Sequence, residues 1–150
     1  MYFAKIARAY FTLKNKRLTI YVDGGARGNP GPAGIGVVVL GETGKKIKEF
    51  GKYIGETTNN IAEYNALLYA LEEALIIRAD ELLINMDSEL VAKQLTGDYR
   101  VKDVNIKPLF VRAINMLKSF NNFEIRHIER EMNKEADKLV NKAINLAGLL

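Results

Sequence analysis

The 150-residue chain contains no cysteine and a single histidine. Without cysteine, neither a disulfide nor a thiolate metal site can form. Any bound metal must then be a hard cation held by oxygen ligands, with His127 the one imidazole on offer. No apolar run is long enough to span a bilayer. Lys5 and Arg8 interrupt the apolar residues between Met1 and Leu13, which breaks up a signal-peptide core. These absences predict a soluble, cytoplasmic chain without membrane association. Internal repeats, linkers and low-complexity segments are also lacking. What is present is an ordinary globular balance, 48% hydrophobic and 27% charged residues, in a length suited to one domain with a real core. The net charge of +4 is compatible with a polyanionic partner, but by itself does not select one.

Hydrophobic period divides the chain into elements. Residues 1–16 match no element and are set apart as an N-terminal extension of uncertain structure; residues 17–150 form the domain. Arg17 to Asp23 has the β-branched and aromatic content of a buried strand. Gly24 to Pro32 (G-G-A-R-G-N-P-G-P) is turn chemistry. Gly34 to Leu40 and Lys45 to Tyr53 are two further strands, and the short connections predict an antiparallel meander. From Asn60 to about Arg78 the apolar residues Ile61, Tyr64, Leu67, Leu68, Leu71 and Leu75 recur at helical spacing. A strand over Glu81 to Met86, a short helix over Ser88 to Leu95, a helix over Ile106 to Phe120, a strand over Phe123 to Ile128 and a closing helix over Lys134 to Leu146 complete the order β-β-β-α-β-α-α-β-α. Helices between the later strands imply parallel pairing in a mixed sheet covered by helices.

Four carboxylates fall at element ends. Asp23 ends the first strand, Asp87 ends the fourth, Glu63 lies in the first turn of the long helix and Asp137 in the first turns of the last. Each has a purely structural explanation. Asp23 before Gly24-Gly25 can make an Asx turn, and Asp87 or Ser88 can cap the short helix. Glu63 stands three residues after Asn60, the spacing of a capping box, and Asp137 can complement the helix dipole. Together they read differently, because ligands bind at the carboxyl ends of strands in open α/β sheets. Converging carboxylates would repel one another and raise their pKa values unless a cation sat among them. A cluster of hard oxygens suits Mg²⁺ or Mn²⁺, and two such ions ~4 Å apart can activate a water and stabilise the leaving oxygen of a phosphodiester.

The segments Tyr21 to Gly36 (Y-V-D-G-G-A-R-G-N-P-G-P-A-G-I-G), Thr57 to Leu67 (T-T-N-N-I-A-E-Y-N-A-L), Met86 to Lys102 (M-D-S-E-L-V-A-K-Q-L-T-G-D-Y-R-V-K) and Arg130 to Asp137 (R-E-M-N-K-E-A-D) resemble the type 1 ribonuclease H family in order and spacing. The resemblance covers essentially everything after Lys16. It implies a ribonuclease H-like α/β fold whose five-stranded mixed sheet has the order 3-2-1-4-5, flanked by helices. It further implies an endonuclease that hydrolyses the RNA strand of RNA–DNA hybrids, leaving 5′-phosphate and 3′-hydroxyl ends. No obligate protein partner is evident in the sequence, and a monomer is expected. In this resemblance Asp23, Glu63, Asp87 and Asp137 are the catalytic carboxylates and metal ligands of two Mg²⁺ or Mn²⁺ ions. Asp23 bridges them, Asp137 serves the ion bearing the nucleophilic water, and Glu63 and Asp87 serve the other.

Recognising RNA requires close approach to its 2′-hydroxyl in the minor groove. Gly24, Gly25, Ala26 and Gly28 would let main-chain groups reach the sugars, while Asn29, Thr58, Asn59 and Asn60 offer neutral polar side chains. The resemblance directs Asn29, Thr58 and Asn60 to the DNA strand and Asn59 and Glu89 to the minor groove. Glu89 departs from the glutamine common in the family; an anion there should weaken binding modestly unless a metal or Lys93 offsets it. Some family members carry a loop histidine before the last helix that assists product release. His127 falls within a strand pattern, which favours leaving that role unfilled or passing it to Glu129 or Glu131, while its closeness to the site in sequence keeps His127 itself as the alternative. Tyr99, Arg100 and Lys102 make a smaller basic–aromatic patch than the basic handle of some members. The alternatives are a non-catalytic hybrid- or RNA-binding module and a nuclease of the same fold acting also on double-stranded RNA.

Overall fold

The computed structural model describes residues 16–149. The N-terminal extension, Lys16 excepted, lies outside them. The strands are β1 (Arg17–Ala26), β2 (Gly31–Leu40), β3 (Lys46–Thr57), β4 (Glu81–Met86) and β5 (Asn122–His127). The helices are α1 (Asn59–Ile77), α2 (Glu89–Leu95), α3 (Lys107–Leu117) and α4 (Lys134–Ala147), with a 3₁₀ turn, Arg130–Asn133, leading into α4. The sheet order is β3-β2-β1-β4-β5. β1 pairs antiparallel with β2 and β2 with β3, while β4 runs parallel to both β1 and β5. This is the expected ribonuclease H-like α/β fold.

Successive residues of a strand face opposite sides of the sheet, and β1 makes both sides visible. Leu18, Ile20 and Val22 are fully buried and join Ile35, Val37 and Val39 of β2 beneath Tyr64, Leu67, Leu68 and Leu71 of α1. α3 stacks outside α1, and α4 covers β2 and β3 on the other side. Among the described residues no helix is long and apolar enough to cross a membrane.

The glycine-rich stretch after Asp23 differs from its turn-like composition. The β1–β2 ladder continues through Ala26 and Ala33, and only residues 27–30 bridge the strands. The glycines serve helix packing. A Cβ on Gly24 would stand 2.2 Å from the Ala62 carbonyl oxygen of α1, and one on Gly36 would stand 2.1 Å from the Ala136 carbonyl oxygen of α4. Gly36 pairs with Asp23 on one side and Gly51 on the other, and a Cβ on Gly51 would meet the Leu139 carbonyl at 2.5 Å. The two helices thus rest on bare backbone next to Asp23, one on each face.

Other boundaries shift for local reasons. α1 starts at Asn59 because the Thr58 hydroxyl accepts from the Ile61 amide at 3.3 Å. Glu63 therefore lies in the second turn, and the Asn60–Glu63 capping box does not form. Leu75 is 42% exposed despite its helical spacing. The alternation expected of β5 does not translate into burial, because β5 is an edge strand in which only Ile125 is half-buried.

Candidate active site

Parallel pairing of β1 with β4 ends at Val22 and Met86. The next residue of each strand segment is an aspartate, so Asp23, still paired with β2, and Asp87 stand side by side just past the end of the parallel ladder. Ser88 caps α2 by accepting from the Val91 amide, which frees the Asp87 carboxylate from that duty. α1, seated on Gly24, brings Glu63 to the same edge. Carboxylate oxygens of Asp23, Glu63 and Asp87 lie within 4.8 Å of one another. Asp137, carried by α4 over Gly36, lines the same cavity of about 420 Å³ as the other three, close enough for its charge to raise the pKa of Asp23. All four sequence-derived carboxylates therefore meet in one place.

The electrostatics suit a bound cation. Asp23 is only 7% exposed, and burial, followed by the charges of Asp87 and Asp137, pushes its pKa up to about 8. Glu63 is raised well above the usual carboxylate range, first by burial and then by Asp23 and Asp87. Crowded, partly desolvated carboxylates of this kind resist ionisation until a positive charge joins them. The donor set consists of hard oxygens, the preference of divalent Mg²⁺ and Mn²⁺ rather than of softer metals. These residues fit a divalent cation.

Of the proposed substrate contacts, Gly24, Gly25, Ala26, Asn59 and Asn60 line the cavity. Gly28, with φ of +87°, and Asn29 form the exposed tip of the β1–β2 turn. Several polar atoms there are already engaged. Asn29 Oδ1 accepts from the Asn59 amide at 3.0 Å, and Asn59 Oδ1 accepts from the Ala26 amide at 2.7 Å. The Thr58 hydroxyl is spent on the helix cap. This lacing fixes the turn against the start of α1 and leaves the NH₂ groups of Asn29 and Asn59 as donors. Glu89 is exposed on the first turn of α2. Lys93 offsets its charge at 2.8 Å, holding its carboxyl below the usual range, and Lys93 lies 4.9 Å from the Tyr99 ring centre. His127 is the last residue of β5 and exposed, as its strand pattern predicts.

Three residues of the site escape a reading of the sequence. Arg27 and Arg130 line the cavity, with Arg130 opposing the upward shift of Asp23. Asn133 is 1% exposed, and its Nδ2 donates to the Val22 carbonyl at 2.8 Å and to Asp87 Oδ2 at 3.0 Å. The R-E-M-N segment was legible only as part of a motif, since a single 3₁₀ turn carries no hydrophobic period.

A five-stranded 3-2-1-4-5 sheet with acidic side chains clustered at the ends of β1 and β4 defines a ribonuclease H-like domain. The reverse transcriptase-like family matches residues 21–143. Ribonuclease HI of Halobacterium salinarum is 43% identical over 129 residues, which cover 86% of this chain and 65% of the relative. A bifunctional protein of Mycobacterium tuberculosis is 38% identical over 133 residues, covering 88% of this chain and 36% of the relative. The chain thus spans less than two thirds of the length of either. Among solved structures, RNase H1 of H. salinarum superimposes with a TM-score of 0.84 at 43% identity, covering 86% of this chain and 98% of that one. LC11-RNase H1, solved in complex with an RNA/DNA hybrid, gives 0.82 at 47% identity over 87% of this chain and 98% of that one. The chain belongs to the reverse transcriptase-like family and, within it, to the type 1 ribonuclease H group.

Proposed function

We propose that the chain is an endonuclease that hydrolyses the RNA strand of RNA–DNA hybrids with the help of Mg²⁺ or Mn²⁺. The observation that carries this reading is the convergence of Asp23, Glu63 and Asp87 oxygens within 4.8 Å, with Asp137 on the same cavity wall. Asp23, Glu63, Asp87 and Asp137 would hold two divalent cations, which supply charge neutralisation and acidify a bound water. In the reaction a water oxygen bonds to phosphorus as the P–O3′ bond breaks. The phosphate remains on the 5′ end of one product, and the departing 3′ oxygen takes up a proton. Asp23 is buried and the other three acids are half-buried, and the cavity they line would admit the scissile phosphate.

Substrate choice follows from what surrounds the acids. The laced turn of Asn29, Asn59 and Ala26 presents main chain and neutral amide NH₂ groups, suited to sugars and hydroxyls in a shallow minor groove. Arg27 and Arg130 at the rim suit backbone phosphates. The structure of LC11-RNase H1 with a hybrid supports the same substrate here.

A panel of end-labelled substrates tests the proposal: hybrid, double-stranded RNA, single-stranded RNA and duplex DNA, each with Mg²⁺ or Mn²⁺. The expected outcome is internal cleavage of the RNA in the hybrid, with 5′-phosphate products. Cutting of duplex DNA at a comparable rate, or 3′-phosphate products, would contradict it.

A further inference from the structure

Asn133 occupies an unusual position for a buried amide. It precedes α4 at the helix-capping position yet makes no side-chain cap bond. Its Nδ2 instead bridges the Val22 carbonyl and Asp87 Oδ2. The β1–β4 ladder stops at Val22 and Met86, so the amide supplies a donor to β1 where β4 has ended. Its Oδ1, meanwhile, is the one buried side-chain polar atom without a partner among the described residues. Burying an unpaired oxygen is unfavourable, and a residue kept for folding alone would be expected to satisfy both ends or give way to an apolar side chain.

We propose that Asn133 is a positioning residue for divalent-cation binding, acting through Asp87; this rests on the nuclease reading above. One amide group links the last rung of β1 before Asp23, the carboxylate of Asp87 and the entry to α4, which presents Asp137 one turn later. Occupying Oδ2 of Asp87 fixes the rotation of that carboxylate and leaves its other oxygen for a cation. A neutral donor does this without adding charge. A lysine or arginine in the same place would hold Asp87 equally well but would oppose the cation. Groups that orient a metal-binding side chain in this way typically change metal affinity by roughly 10–100-fold when removed.

The test is a double-mutant cycle read by calorimetric titration of the protein with Mn²⁺ alone. Asn133→Ala is expected to weaken Mn²⁺ binding roughly tenfold or more. In an Asp87→Asn background the same substitution is expected to add little, because its effect passes through Asp87. Asn133→Ser, which retains a smaller donor, should lie between Asn133→Ala and the unaltered chain; if Asn133→Ala does not fold, the cycle with Asn133→Ser decides. Unchanged Mn²⁺ affinity in the Asn133 variants, or losses that add fully to those of Asp87→Asn, would overturn the positioning role and leave the nuclease reading standing. Failure of the unaltered chain to bind Mn²⁺ would overturn both.

Discussion

At the scale of single residues, Asp23 carries an energetic signature that can be measured without substrate. Its carboxyl has an ordinary value of 3.8 and rises to about 8 in the folded, cation-free protein. Between those values the folded chain holds a proton that the unfolded chain has already released. Stability therefore falls as pH rises through this window, by ~1.4 kcal/mol per pH unit for one proton. Below about 4 the contribution is level. Glu63 is shifted in the same direction and adds to the fall. The cation-free protein should thus lose thermal stability steadily from pH 4.5 to 8, and Asp23→Asn should make that decline shallower. A melting profile with the same slope in both proteins would contradict the assignment of Asp23 as a buried, strongly shifted acid.

At the scale of elements, the site depends on how closely two helices approach the sheet. Gly24 and Gly36 have no side chain, so α1 and α4 settle directly on β1 and β2 and carry Glu63 and Asp137 towards Asp23. A Cβ on Gly36 would overlap the Ala136 carbonyl at 2.1 Å, and relief requires α4 to move away. Gly36→Ala is expected to cost about 2–3 kcal/mol, in the range of overpacked interiors, and to reduce activity more than stability alone would explain, because Asp137 moves with its helix. Denaturant titration beside a cleavage rate checks this; an active variant of unchanged stability would exclude the close approach. The same elements show what could be read beforehand. The apolar runs of β1 and β4 located Asp23 and Asp87, each standing where such a run stops, and the helical period of α1 placed Glu63 near the start of that helix. The role of Gly24 and Gly36 was not legible, because it depends on which helix crosses which strand. Asn133 was hidden for a related reason. Its partners, Val22 and Asp87, are 111 and 46 residues away in sequence, and no local pattern announces contacts of that range.

At the scale of the whole molecule, the parallel β1–β4 pair sets Asp23 and Asp87 side by side, and one helix on each face of the sheet supplies a further acid. A chain with balanced composition and net charge of +4 thereby gathers four acids in one cavity, flanked by Arg27 and Arg130. In the cation-free protein the retained proton on Asp23 eases repulsion within that cluster; in the proposed reaction a divalent cation would take over that part, and the same cation is what the phosphodiester chemistry requires. On the proposed reading, the charges that cost the fold stability are the ones that catalysis would use. The most direct measurement is cleavage of a hybrid carrying a labelled RNA strand by the unaltered chain and by Asp87→Asn, each with Mg²⁺ or Mn²⁺ and with a chelator. The account predicts internal RNA cleavage by the unaltered chain that stops on chelation and falls at least ~10³-fold in the variant, the loss of ~4 kcal/mol of transition-state stabilisation. Cleavage that survives chelation, or that Asp87→Asn leaves intact, would contradict it.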